Sequence, residues 1–441
     1  MRTGHRIGLQ LRVLAATCLL VPSACGGDGA GGDAGAAPAG TDSLANTASV
    51  AAGEIDSRAA RSYLFVWAGD ADRRQSDFLA VLDVRPASPR YGRIVATLPV
   101  NRRGTMPHHT EHEMPADGPL FANGFMAGRT FRFDLSRPEA PRLEGSFTAA
   151  EGYTFPHSYV RMPNGNVLAT YQGRGERNVD PGGLVEIDPA GQVVRSGSAA
   201  DPRAARALIR PYSLTVLPDL DRVVSTSYDM GEDMGLRGGR RGRTRVVQVW
   251  RLSDLSVLKT IDLPSGSRGG EGEQPGEPRV LSDGRTVLVS TFTCGLHRIT
   301  GLADEDPGAE LVHAFGGGGC ALPIVLGKFW IQSVPSANAI VTLDVSDPSS
   351  PKEVSRLDVG GRHFPHWLAL DEVGGRIVIT DRGDGERRVL MARVDPQTGS
   401  LSLDEDFREE GSDRPGISFE RDEWPHGASG AATPHGAVFG T

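Results

Sequence analysis

The chain has 441 residues, of which 39% are hydrophobic, and its 57 glycines are nearly double the usual share. Its formal net charge of −8 and the lack of a basic patch interleaved with aromatic residues exclude non-specific binding to nucleic acid. Abundant glycine and proline with few long apolar runs favour many short strands and turns over helices.

The first residues have the layout of an export signal. Arg2, Arg6 and Arg12 precede an apolar run over 13–21, which is short for a membrane span, and small residues follow it. This layout predicts a signal peptide over 1–24 and a protein that is exported to the periplasm or the cell surface.

Cys25 stands directly after the predicted signal, where a bacterial lipoprotein carries its lipid. We therefore expect lipidation of Cys25, with an ordinary cleaved signal as the alternative, and membrane contact only through this N-terminal lipid anchor. The Gly/Ala-rich stretch 25–60 is typical of a disordered tether. The remainder, 61–441, is expected to fold as one domain.

Two further cysteines, Cys294 and Cys320, lie in the predicted domain. In an exported protein two cysteines more often pair than stay free, so we predict a disulfide between them. A free and reactive thiol is the alternative.

A repeated pair of strands indicates the fold. In residues 338–359 an alternating apolar strand, a proline-containing turn and a second strand follow one another. Similar segments recur roughly every forty to sixty residues, a spacing that fits the four-stranded blade of a β-propeller and no helical repeat. The other copies span 77–100, 129–147, 183–198, 246–263, 295–315 and 387–407.

A further strand, which opens with proline, precedes each copy except the first. The C-terminal stretch 433–441 supplies the missing strand, opening at Pro434-His435. We therefore predict an all-β, seven-bladed β-propeller whose ring is closed by the C-terminal strand pairing into the N-terminal blade, which removes exposed sheet edges. The other openings are Pro107-His108, Pro156-His157, Pro211-Tyr212, Pro278-Arg279, Pro323-Ile324 and Pro365-His366.

Four of the seven residues after these prolines are histidines. The first strand of a propeller blade lines the central channel, so equivalent positions should form a ring around it. His435, His108, His157 and His366 belong to blades 1, 2, 3 and 7, which are consecutive in the closed ring. The alignment of the first strands of blades 2 and 3 is undecided by one residue. Counting back from the Met-Pro pairs that follow these strands aligns His109, rather than His108, with His157.

Imidazole is the commonest protein ligand for copper, zinc and iron, so these histidines predict a metal site in the channel. The alternative is a set of channel histidines that bond to one another or to water without an ion. His112 and Glu111, close by in sequence, and His426, on the loop before the closing strand, are candidate outer-shell or lid groups.

Several stretches resemble the selenium-binding protein family, whose bacterial members include copper-dependent methanethiol oxidases. They include the run ending in MPHHTEHEM, then PHSYVRMPNGNVLATYQG and NAIVTLDVSDPSSPKEVSRLDVGG. The resemblance extends in order from about residue 62 to the C-terminus, and the His-His pair is its most specific element. It implies a seven-bladed propeller that binds copper through histidines and oxidises a small thiol with dioxygen.

The resemblance also implies which residues bind the metal. The family's His-His pair falls on His108 and His109, the histidine of its next blade on His157, and its near-C-terminal histidine on His435. His366 lies where the resemblance supplies no histidine. The Cys-x-x-Cys stretch of many members is missing here, so selenium binding through that motif does not carry over.

Three functions stay open at this stage. The first is a copper-dependent oxidase that takes a small thiol, oxygen and water to an aldehyde, hydrogen sulfide and hydrogen peroxide. The second is an exported propeller that holds copper, or less favourably zinc or iron, without turnover. The third is a protein-binding propeller without an ion. The sequence does not give the oligomeric state.

Overall fold

The structure, a computed structural model, describes residues 61–441 except 149, 176–179, 205–208, 234–242 and 305. The predicted signal peptide, Cys25 and the tether lie outside the described residues and stay predictions. Helices are short in the described part, where none is long and apolar enough to cross a bilayer. They are one α-helix, Met230–Asp233, and three 3-10 turns, Pro202–Ala204, Pro218–Leu220 and Pro335–Ala337.

Strands form seven antiparallel sheets within the described chain, and neighbouring strands of a sheet are consecutive in the chain except where β30 joins β1 and where β28 joins β26. The first opens with three strands: β1 (Tyr63–Asp70), β2 (Phe78–Asp83) and β3 (Ile94–Pro99). The second has β4 (Pro107–Thr110), β5 (Leu120–Gly124), β6 (Arg129–Asp134) and β7 (Arg142–Phe147). The third has β8 (Tyr153–Arg161), β9 (Val167–Arg174), β10 (Gly183–Ile187) and β11 (Val193–Ser198).

The next three sheets repeat this four-stranded arrangement. The fourth has β12 (Pro211–Leu217), β13 (Arg222–Ser227), β14 (Val246–Arg251) and β15 (Val257–Asp262). The fifth has β16 (Pro275–Val280), β17 (Val287–Thr291), β18 (Gly295–Thr300) and β19 (Gly308–Ala314). The sixth has β20 (Pro323–Leu326), β21 (Phe329–Val334), β22 (Ala339–Asp344) and β23 (Lys352–Asp358).

The seventh sheet and the closing strand complete the ring. The seventh has β24 (Pro365–Asp371), β25 (Arg376–Asp381), β26 (Arg388–Val394), β27 (Leu401–Leu403) and β28 (Ile417–Ser418). Two strands then return to the first sheet: β29 (Glu420–Arg421) and β30 (Gly430–Gly440). The order β29-β30-β1-β2-β3 confirms the predicted seven-bladed propeller closed by its C-terminal strand.

Burial changes from the axis to the rim in the way that this architecture requires. All residues of β2, β5 and β21 are buried, because neighbouring blades cover both faces of these strands. In the outermost strand β7, exposed and half-buried residues alternate, as expected for a strand with one face in solvent.

The closing strand is held by paired backbone and by packing. Its register runs from Tyr63 opposite Gly440 to Asp70 opposite Ala432. Phe439 is buried against the first blade, and the Trp367 indole of the seventh blade donates a 2.8 Å hydrogen bond to the Ala437 carbonyl. The last strand therefore joins the two ends of the ring.

A disulfide joins the fifth and sixth blades. Cys294 immediately precedes β18 and Cys320 lies shortly before β20; their Cα atoms are 5.0 Å apart and both side chains are buried. The structure thus contains the cysteine pair that the sequence predicts, and it leaves neither residue as a free thiol.

Replacing both Cys294 and Cys320 with alanine is expected to lower the free energy of unfolding by about 3 kcal/mol, because the crosslink restricts the unfolded chain. Urea unfolding followed by tryptophan fluorescence measures this difference. Reductant should lower the free energy of unfolding of the wild type toward that of the variant, and it should leave the value for the variant unchanged. Equal unfolding midpoints for the two proteins would contradict the expectation.

Candidate metal centre

A bulge at the start of the inner strands positions the channel side chains. Pro107 lies opposite Gly124 and Thr110 opposite Ala122, so three steps along β4 match two along β5. Such a bulge leaves two consecutive residues unpaired and redirects their side chains. The same offset occurs at Pro156–Tyr159, Pro211–Leu214, Pro275–Pro278, Pro365–Leu368 and Pro434–Ala437.

These pairings fix the equivalent positions around the channel. The first bulge residues are His435, His108, His157, Tyr212, Gly276 and His366, in blades one to five and seven. The second bulge residues are Gly436, His109, Ser158, Ser213, Glu277 and Trp367. The register that aligns His108 with His157 is therefore the observed one, and the alternative with His109 is wrong.

The expected opening of the fifth blade is also wrong. Pro275 lies opposite Thr291 and occupies the place expected for Pro278, so Gly276 rather than Arg279 lies at the first bulge position and Glu277 lies at the second. The stretch QPGEPRV contains two proline openings, and only the strand pairing distinguishes them. In the sixth blade, β20 pairs from Pro323 without a bulge.

The predicted histidines meet at the channel. The ring centroid of His108 lies 4.0 Å from that of His435, 4.6 Å from His109 and 4.8 Å from His157. The His366 and His435 centroids are 4.6 Å apart. All five side chains are buried, and the most exposed, His366, has 9% of its surface accessible.

Hydrogen bonds fix three of the rings. His157 donates from Nδ1 to the Tyr212 carbonyl (2.7 Å), and His435 donates from Nδ1 to the His108 carbonyl (2.8 Å), because a carbonyl only accepts. The Ser158 hydroxyl lies 2.9 Å from His109 Nδ1. Each Nε2 is thereby left as the nitrogen available to a ligand, as is usual for metal-binding histidines.

Glycine is required where the closing strand passes the second blade. A Cβ at Gly436 would lie 2.6 Å from the His108 carbonyl oxygen and 2.8 Å from the Thr110 nitrogen. Without a side chain there, β30 approaches β4 closely enough for His435 to reach the His108 carbonyl.

Burial keeps these imidazoles neutral. It lowers the pKa of His108, His109 and His366 well below 6.5, and charge repulsion among the neighbouring rings adds to the effect. Burial likewise lowers the pKa of His157 to about 3 and that of His435 to about 4. A neutral ring has the lone pair that a metal ion requires.

A second group of polar residues adjoins the ring. The His112 imidazole stacks on the Trp367 indole, with centroids 4.4 Å apart and planes 4° from parallel. Arg279 Nη2 lies 3.4 Å from Nδ1 and 3.1 Å from Nε2 of His112. His112 Nε2 is 3.6 Å from Glu277 Oε2. His112 is thus beside the ring histidines, as expected.

Glu277 is a buried anion that the sequence prediction missed. Its Oε2 accepts hydrogen bonds from Ser213 (2.6 Å) and Arg279 (2.8 Å), while Oε1 lies 4.0 Å from His109 Nδ1. Burial raises the pKa of Glu277, but Arg279, His112 and Ser213 outweigh this effect and bring it to about 2. The carboxylate is therefore ionised beside His109.

Two other candidate outer-shell residues do not face the ring. Glu111 binds Arg161 through both carboxylate oxygens and accepts from the Phe121 backbone, because its side chain turns between the second and third blades. His426 contacts Phe78 and lies 2.8 Å from Thr97 Oγ1, since its loop follows the outer strand β3. The expectation for Glu111 and His426 is wrong.

Cavities reach the channel from both ends of the inner strands. One, of about 600 Å³, is lined by His108 and His366, near the starts of β4 and β24, and by His435 in the middle of β30. Its walls include Met106, Met126, Met230, Tyr212, Tyr228 and Phe292. The other, of about 470 Å³, reaches His112 and Arg279 beyond the far end of β4.

The residues fit a metal ion. Within the described chain, His108 Nδ1, His109 Nε2, His157 Nε2 and His366 Nδ1 are buried without a hydrogen-bond partner. The ligand atoms of His108, His109 and His157 lie within 4.8 Å of one another, and so do those of His108, His366 and His435. Histidine nitrogens bind copper or zinc at about 2 Å, so small side-chain rotations suffice.

Comparison with known proteins identifies the family. No protein-family model matches the chain. A methanethiol oxidase of Hyphomicrobium is 32% identical over 325 residues, which cover 68% of this chain and 71% of that protein. The chain belongs to the selenium-binding protein and methanethiol oxidase family. The family resemblance seen in the sequence is thereby confirmed.

More distant matches include one further methanethiol oxidase and two solved structures that share the fold. A methanethiol oxidase of Danio rerio is 24% identical over 237 residues, and the chain spans 49% of its length. The structure of a hypothetical selenium-binding protein from Sulfolobus tokodaii covers 86% of this chain with a TM-score of 0.67 at 17% identity. A periplasmic gluconolactonase of Pseudomonas aeruginosa covers the same share with a TM-score of 0.58 at 15% identity. Both structural likenesses show the fold alone.

Replacing Ser158 with alanine is expected to weaken copper binding about 10-fold, because the hydroxyl orients His109 and also lies 3.1 Å from His157 Nδ1. Competition with a chromophoric chelator measures the affinity. Ser282, an exposed serine, provides the matched alanine control. Unchanged affinity in the Ser158 variant would show that the hydroxyl orients no ligand.

Proposed function

We propose that this protein is a copper-dependent oxidase of a small thiol. The observation that carries the proposal is the group of buried, neutral imidazoles with unpartnered nitrogens, three of which line a cavity with aromatic and methionine side chains among its walls. The relationship to methanethiol oxidases supports the substrate class and the reaction. The expected products from methanethiol are formaldehyde, hydrogen sulfide and hydrogen peroxide.

His108, His109, His157, His366 and His435 are the residues that would hold copper in this channel. Copper bound there would supply a site that favours the thiolate form of the substrate and a couple that accepts electrons. The described residues orient this site: the Tyr212 carbonyl fixes His157, and the His108 carbonyl fixes His435. Fixed rings avoid reorganisation when the substrate binds.

The cavity walls suit a thiol with an apolar group. Tyr212 packs on His157 with ring centroids 3.9 Å apart, and Phe292 packs edge-on against Tyr212. These rings, with Met106 and Met230, offer the substrate carbon an apolar surface beside the imidazoles. Thioethers adapt to irregular apolar ligands, and an apolar wall limits the access of water.

Export and lipid anchoring belong to the same proposal. They rest on the signal-like layout of residues 1–25, which supports export to the periplasm or the cell surface. The partners would then be dioxygen and a thiol outside the cytoplasm, with the membrane reached only through lipid on Cys25.

Replacing His157 with alanine is expected to reduce the copper content and to lower thiol-dependent oxygen uptake at least about 100-fold, since it removes an oriented ligand. Elemental analysis and an oxygen electrode with methanethiol measure the two effects. His313→Ala, on the outer strand β19, is the control. Copper-loaded wild type that consumes no oxygen with methanethiol would contradict the oxidase and favour a metal-holding propeller.

Copper content is expected to be the same after dialysis at pH 5 as at pH 8. Burial lowers the pKa of His157 to about 3 and that of His435 to about 4, so the rings gain protons only as the pH falls through those values. Between pH 6.5 and pH 5 they keep the lone pairs that bind the ion. Half-loss of copper near pH 6.5 would show that the rings titrate as solvated imidazoles.

A further inference from the structure

The channel has more potential ligands than one ion can use. Six imidazoles and one carboxylate adjoin one another there, whereas a catalytic ion usually takes about three protein ligands and keeps one position open. A single ion would leave several buried ring nitrogens unpartnered, which is costly in a site closed to water. The ligands in question are His108, His109, His112, His157, His366, His435 and Glu277.

The ligands also divide in space. His366 joins a group with His108 and His435, whose ligand atoms lie within 4.8 Å of one another. His109 and His157, with ring centroids 4.2 Å apart, belong to a separate group that shares only His108. No group within 4.8 Å joins all five ring histidines in the described chain.

The two groups differ in their access to solvent. His108, His366 and His435 line the 600 Å³ cavity and have 4%, 9% and 7% of their surfaces exposed. His109 and His157 are fully buried behind them. His112 and Glu277 lie on the far side of His109, with ligand atoms within 4.8 Å of it.

We propose that the channel binds two metal ions, an outer ion at His108, His366 and His435 and an inner ion at His109 and His157. Glu277 and His112 border the inner position on the Nδ1 side of His109, where Glu277 Oε1 lies 4.0 Å from that nitrogen. The outer site depends on His366, the one ring histidine for which the family resemblance supplies no counterpart. The substrate sulfur would reach the outer ion from the cavity.

Electron balance favours a pair of ions, an argument that rests on the proposed oxidase function. Conversion of a thiol and water to an aldehyde and hydrogen sulfide breaks the carbon–sulfur bond, forms the carbonyl and releases two electrons and two protons. Dioxygen takes up those two electrons and two protons as hydrogen peroxide. One copper ion exchanges one electron, so two ions match the reaction.

Metal counting tests the proposal without an activity assay. Wild type, His366→Ala and the outer-strand control His313→Ala are loaded with copper, freed of unbound metal and measured by elemental analysis and by spin counting of cupric copper. We expect two ions per chain in the wild type and the control, and one in His366→Ala. One ion in the wild type, or equal content in wild type and His366→Ala, overturns the proposal.

A second variant guards against loss of the fold. His366→Asn keeps a polar side chain of similar reach, and circular dichroism together with the unfolding midpoint verifies that either variant is folded. We expect one ion in His366→Asn as well. A wild type that binds one ion and oxidises methanethiol overturns the second site alone, whereas a wild type that binds no copper overturns the proposed function too.

Discussion

The closing pair β1–β30 is the contact on which the candidate centre depends. The seven inner strands converge on one axis only if the first and last strands belong to the same sheet. His435 lies on the strand that closes the ring, and its Nδ1 bonds to the carbonyl of His108 in the next blade. Ring closure and assembly of the imidazoles are therefore one structural event, and loss of the last strand would remove both.

Burial keeps the imidazoles of the centre neutral, but it also lowers the stability of the folded protein. The rings are neutral because water is excluded, and their unpartnered nitrogens weaken the fold until a ligand binds them. A bound ion would thus stabilise the folded state, since the unfolded chain has no such arrangement of ligands. The same exclusion of water explains why Glu277 needs Ser213 and Arg279 to remain charged.

The sequence predicts most of the fold because each blade repeats one local pattern, and the Pro-His openings identify four ring positions. The sequence prediction fails where the pairing register of a strand or the path of a loop determines which side chains face the channel. Pro275 and Pro278 look alike in sequence, and only pairing with Thr291 selects Pro275 and so brings Glu277 to the channel. Glu111 and His426 are near ring histidines in sequence, yet side-chain direction and the course of a loop take them elsewhere.

The residues at the first bulge position differ between the two sides of the ring. Blades with histidine at the first bulge position are contiguous, while the fourth and fifth blades have Tyr212 and Gly276 there. A Cβ at Gly276 would lie 3.3 Å from the Phe292 ring, so glycine leaves room for that aromatic wall. One arc of the channel thus presents imidazoles, and the other presents Tyr212 and Phe292 beside the carboxylate of Glu277. Under the proposed function, a thiol between them would present sulfur to the imidazoles and carbon to the aromatic rings.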